Sequence, residues 1–227
     1  YSQWEPKGIY RSYNINFDYW TQFNFGGVNV SHGFESNINM TFKNFWNAWI
    51  YGNVGTNTRD ASILRGGPLM ITPGRLTTNG GFGTDNRKKM TFRFNVNFNR
   101  GFEDYYRNRY TGLDLTFKPT NSLRLSLNPG YSKSFSELQY VSQESYNETE
   151  KYIFASIDRK TISASLRVDF NVSPDLTIQY WGQPFVASGR YYDYKYIVDP
   201  VAAKYHERFS IYGDEQISMD GSDINID

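Results

Sequence analysis

Apolar and polar residues alternate over most of this chain, and the segment from Phe92 to Asn99 shows the pattern without a break. A period of two predicts β-strands with one apolar and one polar face. Asn, Ser and Thr fill the polar face, where a soluble sandwich would carry more charge, and aromatic residues crowd the apolar face. This balance predicts a transmembrane β-barrel, or a part of one, with lipid against the apolar face.

The alternation recurs in about ten segments along the chain. Trp20 is the residue that breaks it in the first segment, and either Gly26-Gly27 or His32-Gly33 could form the tip of the first hairpin. We predict an all-β, antiparallel up-and-down transmembrane β-barrel, in which residues 1–227 are a single barrel segment. With about ten strands, this segment is expected to be an incomplete, interior portion of a larger barrel and of a longer chain.

The predicted connections fall into two classes that alternate along the chain. The short ones lie near residues 43–46, 84–86, 118–122 and 173–175, and the long ones near residues 55–74, 101–108, 136–151 and 189–211. Outer-membrane barrels have this asymmetry of short turns and long external loops, whereas a soluble β-sandwich, the main alternative, does not sort its loops by end. Aromatic residues beside the short turns predict an interfacial girdle that includes Phe42, Phe45, Trp46 and Phe117.

Composition narrows the possibilities further. Aromatic residues make up 18% of the chain, yet the mean hydropathy is −0.63, and alternation reconciles the two values. No run approaches the ~20 apolar residues of a membrane helix, so only strands could span a bilayer, and their backbone groups then require a closed barrel. The 24 Lys and Arg residues balance 23 Asp and Glu residues, which disfavours nucleic acid as a partner. The absence of cysteine excludes disulfides and thiolate zinc sites.

Four segments resemble a known family: Phe42–Trp46, Ile63–Met70, Tyr152–Asp158 and Gln183–Tyr191. They are similar to the C-terminal barrel of large outer-membrane proteins of unknown function, found chiefly in Bacteroidota-type bacteria. The resemblance covers nearly the whole chain. It implies location in the bacterial outer membrane and, elsewhere in the protein, an N-terminal module similar to the carbohydrate-binding family nine fold.

Two groups of residues are candidate ligand contacts. Arg59 and Arg65 lie in the first long loop, where Gly66 and Gly67 could bring backbone amides close to a ligand; the alternative is a Gly-Pro turn that folds the loop into the lumen. The second group could stack on sugar rings, or equally plug the barrel mouth or join an aromatic girdle, and consists of Tyr191, Tyr192 and Tyr194.

An acidic segment near residue 227 is a candidate calcium site. Asp223, Asn225 and Asp227 match the opening of a calcium-binding loop, although its glycine and distal carboxylate are missing. A solvated acidic loop is the alternative, and no other cofactor is predicted.

No catalytic residue is predicted. His32 and His206 lie far apart and have no metal-ligand or triad pattern around them. The leading hypothesis is therefore a non-enzymatic outer-membrane barrel protein that takes part in uptake or handling of extracellular glycans, with membrane lipid and a glycan ligand as partners. One alternative is a structural subunit that docks partner proteins in an outer-membrane complex, and another is an outer-membrane hydrolase with paired lumenal carboxylates.

Overall fold

The computed structural model describes residues 2–3, 8–146, 149–220 and 223–226. This part of the chain forms β-strands and three 3-10 turns, at Phe102–Asp104, Tyr205–Glu207 and Asp214–Gln216. The strands are β1 (Ser2–Gln3), β2 (Tyr10–Phe23), β3 (Asn29–Phe42), β4 (Asn47–Gly55), β5 (Thr58–Asp60), β6 (Met70–Thr72), β7 (Arg75–Gly83), β8 (Met90–Gly101), β9 (Tyr106–Phe117), β10 (Leu123–Tyr146), β11 (Thr149–Ser173), β12 (Leu176–Gly182), β13 (Phe185–Ile197), β14 (Phe209–Ile211), β15 (Ile217–Asp220) and β16 (Asp223–Ile226).

One antiparallel sheet contains most of these strands. Its order is β1-β2-β3-β4-β7-β8-β9-β10-β11-β13-β14, and β12 also pairs with β11, while β5-β6 and β15-β16 are separate two-stranded sheets. The all-β, antiparallel prediction is confirmed. Over the residues described, the sheet is open, with β1 and β14 at the ends of its path, so closure into a barrel stays a prediction. No helix in the described ranges is long and apolar enough to cross a membrane.

Strand register keeps the two kinds of residue on opposite faces of the sheet. On one face Phe94 pairs with Phe82 and with Leu113; on the other, Asn16 pairs with Asn37. The apolar face is strongly exposed at Phe17 (79%), Ile162 (63%) and Val186 (75%). Most of the surface of these side chains is therefore free to contact an apolar medium or a partner.

The polar face is linked by hydrogen bonds between side chains of neighbouring strands. Asn16 Nδ2 donates to Asn37 Oδ1 over 3.1 Å, and Asn128 Nδ2 donates to Asp114 Oδ1 over 2.7 Å. The Tyr51 hydroxyl donates to Glu35 Oε2 over 2.8 Å. Amides and hydroxyls thus donate hydrogen bonds to the carboxylates of this face, so these carboxylates do not each need a cation as partner.

The two ends of the sheet differ. At the turn end, the connections are short and lie at residues 43–46, 84–89, 118–122 and 174–175. Aromatic side chains cluster there on the apolar face, where Trp46 stacks on Phe82 with ring centroids 6.4 Å apart and Phe82 meets Phe92 edge to face at 5.4 Å. At the loop end, the first hairpin turns at residues 24–28, where Gly27 has a φ of 75°.

Three of the four long loops predicted from sequence are shorter in the structure, and strand pairing is the reason. Residues 136–151 are mostly the ends of β10 and β11, which pair with each other as far as Tyr146 and Thr149. Residues 101–108 shrink to a connection at 102–105, and 189–211 to one at 198–208. Only the loop at 56–74 keeps nearly its predicted length, with the β5-β6 hairpin inside it.

The loop end carries a small hydrophobic core. Loop 56–74, the end of β13 at residues 195–197 and residues 198–209 contact the extended hairpin at residues 137–146 and 149–157, and we call these segments the cap. The buried side chains of its core come from different parts of the chain and comprise Leu64, Met70, Leu138, Phe154, Tyr205 and Phe209. The sheet therefore leaves its apolar face exposed, while the cap buries its own apolar residues.

Candidate functional site

Trp20, the residue that breaks the alternation, lies on the polar face across two glycines. A Cβ atom on Gly33 would lie 2.7 Å from Trp20 Cζ2, and one on Gly55 would lie 3.3 Å from it. Gly33 pairs with Trp20 on the neighbouring strand and with Gly55 on the next. Because glycine has no side chain, the indole can lie against the backbone of two strands.

A cavity of about 390 Å³ opens beside this indole, between the polar face and loop 56–74. Its walls carry aromatic rings, hydroxyls, two amides, a carboxylate and a guanidinium, among them Trp20, Gln22, Asn53, Thr56, Asp60, Arg75, Tyr105 and Tyr106. A second cavity, of about 440 Å³, continues along the polar face to Tyr51. It shares five lining residues with the first: Trp20, Gln22, Asn53, Arg75 and Tyr106. We call these adjoining spaces the Trp20 cavity.

Hydrogen bonding divides the polar groups of the Trp20 cavity into two sets. The Asp60 carboxylate accepts from Ser62 N at 2.8 Å and Ser62 Oγ at 2.6 Å, and the Glu35 carboxylate accepts from Tyr51 and Asn53. Among the residues that the structure describes, Trp20 Nε1 is buried without a hydrogen-bond partner. Both carboxylates are therefore bonded to groups of the chain, and the indole offers the cavity its ring and not its N–H, because Nε1 has no accessible surface.

The cap adjoins this cavity through Ile63, which lines the cavity and packs against the core of the cap. It contains buried charged groups. Lys195 has no exposed surface; its Nζ lies 3.5 Å from Glu137 Oε1 and donates to Ser156 Oγ over 3.2 Å. The Tyr205 hydroxyl donates to Glu137 Oε2 over 2.7 Å. Burial lowers the pKa of the Lys195 ammonium, against the attraction of Glu137. Burial, and then the bond to Glu137, raise the pKa of the Tyr205 phenol.

Arg208 ties the two cap loops together. Its buried guanidinium donates to the carbonyl oxygen of Ile71 over 2.7 Å and to that of Ala202 over 2.9 Å. Loop 56–74 is thereby joined to loop 198–208 through a charged group whose hydrogen bonds go to the backbone. Such bonds are strong because the donor is ionised.

The predicted arginines of loop 56–74 serve to fix the loop. Arg59 Nη1 donates to the carbonyl oxygen of Asn29 over 2.7 Å, and the Arg65 guanidinium lies 4.2 Å from the centroid of the Tyr140 ring. Gly67 is held so close to Tyr152 that a Cβ would lie 2.5 Å from the ring. These contacts agree with the alternative of a folded Gly-Pro turn. Ligand binding by Arg59 and Arg65 stays a prediction.

The three predicted tyrosines lie on strand β13 instead of an external loop. Tyr191 is exposed, the Tyr192 hydroxyl donates to Asp158 Oδ2 over 3.0 Å, and Tyr194 is buried in a cluster with Ala155 and Tyr212. Because successive side chains of a strand point to opposite faces of the sheet, the rings of Tyr191 and Tyr192 lie on different faces. The three rings therefore do not form one platform, and sugar contact by them stays a prediction.

The predicted calcium ligands are only partly within the described residues. Asp223 and Asn225 lie on strand β16, which pairs with β15, and Asp227 lies outside the described residues. In the described part of the chain, no group of three or more His, Cys, Asp or Glu side chains has the arrangement of a metal site. Calcium binding at this segment stays a prediction.

The Trp20 cavity was not predicted from sequence, although a signal for it exists. Trp20 was the single break in the first alternating segment, and Gly33 could equally be interpreted as a hairpin turn. The pairing of Trp20 with Gly33, and of Gly33 with Gly55, appears only once strand register is known. An aromatic residue on a polar face, with glycines at the matching cross-strand positions, is the pattern that would have identified the site.

Comparison with known proteins gives a family but no activity. The model of a domain of unknown function, DUF5916, matches residues 1–208. Curated proteins gave no match, and neither did solved structures. The sequence resemblance also indicated a family of unknown function, and the match agrees with this. The bacterial group and the carbohydrate-binding module stay predictions. The match covers most of the chain, and the chain therefore belongs to the DUF5916 family.

Proposed function

We propose that this chain is part of a bacterial outer-membrane β-barrel, in which lipid covers the apolar face and the polar face lines a lumen. The exposed apolar face supports this, because monomeric soluble proteins rarely expose a continuous apolar patch larger than a few hundred Å². The apolar positions of β8 extend from Met90 to Phe98, and a strand crosses a bilayer in about 9 to 11 residues. The aromatic cluster around Trp46 then lies at one membrane interface.

Within this barrel, we propose non-enzymatic handling of extracellular glycans at the Trp20 cavity. The observation that carries the proposal is the indole of Trp20, held across Gly33 and Gly55 in a cavity with polar walls. A sugar ring combines an apolar face with hydroxyl groups at its edge, which suits a flat aromatic ring beside amides, hydroxyls and Arg75. The carboxylates of Glu35 and Asp60 already accept hydrogen bonds from the chain, which supports binding over hydrolysis.

A calorimetric titration tests the glycan part of the proposal. The protein in neutral detergent is titrated with maltohexaose and with an oligogalacturonate of the same length. We expect binding of at least one of them, and Trp20→Ala should weaken it about five- to tenfold, the loss expected from about 1 kcal/mol of ring contact. Trp49→Ala is the matched control, since Trp49 lies across Gly81 on the same face but outside the Trp20 cavity. Equal losses in both variants, or no binding, would contradict the proposed site.

Vesicle flotation tests the membrane part independently. The protein, refolded with zwitterionic lipid vesicles, should float with them after a carbonate wash at high pH. Protein left at the bottom of the gradient would contradict the membrane proposal whatever the outcome with sugars.

Docking of partner proteins is a second candidate, favoured by the hairpin of β10 and β11. Its strands have 24 and 25 residues, against 12 in β9. A hairpin of this length extends beyond the part of the sheet that a membrane would cover. Co-purification of a stoichiometric partner, lost when the hairpin tip is shortened, would support docking as the main role.

A further inference from the structure

A row of three cations crosses the apolar face of the sheet. Arg109 on β9 pairs with Lys133 on β10, and Lys133 pairs with Lys160 on β11. The neighbouring rung towards the turn end pairs Tyr131 with Ile162, and both side chains are exposed and apolar or aromatic. The cations thus lie immediately beyond the loop-side edge of the apolar surface, and on the same face. We call Arg109, Lys133 and Lys160 the basic row.

The basic row is electrostatically unfavourable in isolation. All three residues are exposed, and within the described ranges no carboxylate lies at ion-pair distance from any of them. Neighbouring strands are about 4.8 Å apart, so the cations stand side by side. Like charges at directly opposite positions destabilise a sheet. A bound group with several negative charges would convert this repulsion into attraction.

The next rung towards the loop end adds further positive charge. Arg107 pairs with Phe135, Phe135 with Asp158, and Asp158 with Arg190. Asp158 is the one carboxylate in this rung, and it accepts a hydrogen bond from Tyr192. A cavity of about 170 Å³ joins the two rungs and is lined by Arg107, Arg109, Lys133, Ser134, Phe135 and Asp158. Cations therefore outnumber carboxylates around it.

We propose that the basic row binds a lipid headgroup that carries two or more phosphate groups, in the leaflet on the loop side of the membrane. This inference rests on the membrane embedding proposed above. On that basis the basic row lies at the depth of the headgroups, directly above the surface that the acyl chains cover. Arg and Lys near a membrane attract anionic lipids, and ionised donors bind phosphate oxygens strongly. A lipid fits better than free phosphate because Tyr131 and Ile162 lie next to the row and can contact its chains.

Lipid A, which carries two phosphates, is the probe for the first measurement. The protein is reconstituted in nanodiscs of zwitterionic lipid with increasing lipid A, and binding is followed by native mass spectrometry. The variant Arg109→Gln/Lys133→Gln/Lys160→Gln should bind about 100-fold more weakly, because each basic residue at an anionic lipid surface contributes about a fivefold factor. The variant Lys43→Gln/Lys88→Gln/Lys89→Gln is the control, since it removes the same charge from exposed residues at the turn end.

Further measurements distinguish the phosphate of a lipid from free phosphate. They also distinguish failure of the lipid site from failure of the proposed membrane embedding. Removal of one phosphate from lipid A should weaken binding, and inorganic phosphate in excess should not displace the lipid. Complete displacement by inorganic phosphate, or equal affinity in the two triple variants, would overturn the lipid site while leaving the membrane proposal intact. Failure of the wild-type protein to enter zwitterionic nanodiscs would instead overturn the proposed membrane embedding, and the lipid site with it. Neither triple variant should melt below the wild type, since all six substituted side chains are exposed, and in zwitterionic lipid the loss of repulsion within the basic row should raise the melting temperature of the Arg109→Gln/Lys133→Gln/Lys160→Gln variant.

Discussion

The sheet and the cap use apolar residues in opposite ways. In the sheet, apolar residues alternate with polar ones and remain largely exposed, as Phe17 and Ile162 show. In the cap, Leu64 and Phe154 have no exposed surface and pack with side chains from three distant segments. The cap is thus stabilised as a soluble domain is, by removing its own apolar surface from water. The sheet needs something outside the chain to cover its apolar face.

The largest expected effect comes from the core of the cap. Phe154→Ala should lower the free energy of cap unfolding by about 3–5 kcal/mol, because it removes a fully buried ring and leaves a cavity. Val141→Ala on the same hairpin should change it by less than about 0.5 kcal/mol, as Val141 is 41% exposed. Hydrogen exchange of cap amides measures both values. Similar losses in the two variants would show that the cap has no core of its own.

A charge placed on each face of β8 tests the sheet. Phe94→Lys should lower the stability of the protein in vesicles by about 2–4 kcal/mol, because a lysine at the bilayer midplane loses its hydration. Asn95→Lys, one residue further along, places the same charge on the polar face and should have a much smaller effect. Urea unfolding in vesicles measures both. If Asn95→Lys were the more damaging substitution, the assignment of lipid to the apolar face would be wrong.

The sheet could be predicted from the sequence wherever neighbouring residues alone indicate a strand. Alternation in β8 depends only on neighbouring residues, and the strand follows it from Met90. The sequence predicts a loop at residues 136–151, a segment that includes the polar residues Ser136, Glu144 and Lys151. From Val141 to Glu150 most of the described residues are exposed, so neither face needs apolar residues and the pattern that identifies the other strands is weak there.

The cap and the Trp20 cavity depend on contacts that the sequence does not encode locally. Leu64 and Met70 lie in a loop rich in glycine and polar residues, and their burial against Phe154 and Tyr205 requires the tertiary fold. The same holds for Trp20, whose two glycines are on different strands. Local patterns therefore predicted which segments form strands, but not where distant segments meet.

Two glycine substitutions test the packing of Trp20. Gly33→Ala should destabilise the sheet by about 1–3 kcal/mol, because the new methyl group would lie 2.3 Å from the Val54 carbonyl oxygen and 2.7 Å from the indole. Gly52→Ala, on the strand that neighbours Gly33, should be close to neutral, since nothing lies within 4 Å of a Cβ there. Thermal unfolding compares the two variants. Equal melting temperatures would mean that the indole is free to move away from Gly33.

The smallest expected effect is a loss of cap stability at alkaline pH. The pKa of Tyr205 is raised in the folded state, so its contribution to stability is complete below the ordinary tyrosine pKa of about 10 and is lost as the pH rises above it. The pKa of Lys195 is lowered, which has the opposite sign: the folded cap gains stability as the pH rises towards the ordinary lysine pKa of about 10.4. The shift of Tyr205 is the larger of the two, because Glu137 opposes the effect of burial on Lys195 and reinforces it on Tyr205. Near-ultraviolet circular dichroism at pH 9 and pH 11 should therefore show a lower cap melting temperature at pH 11 in the wild type. The decrease should be smaller in Tyr205→Phe, which keeps the ring and Lys195 but has no phenol to ionise. An equal decrease in that variant would show that other groups cause the alkaline loss of cap stability and that ionisation of Tyr205 does not.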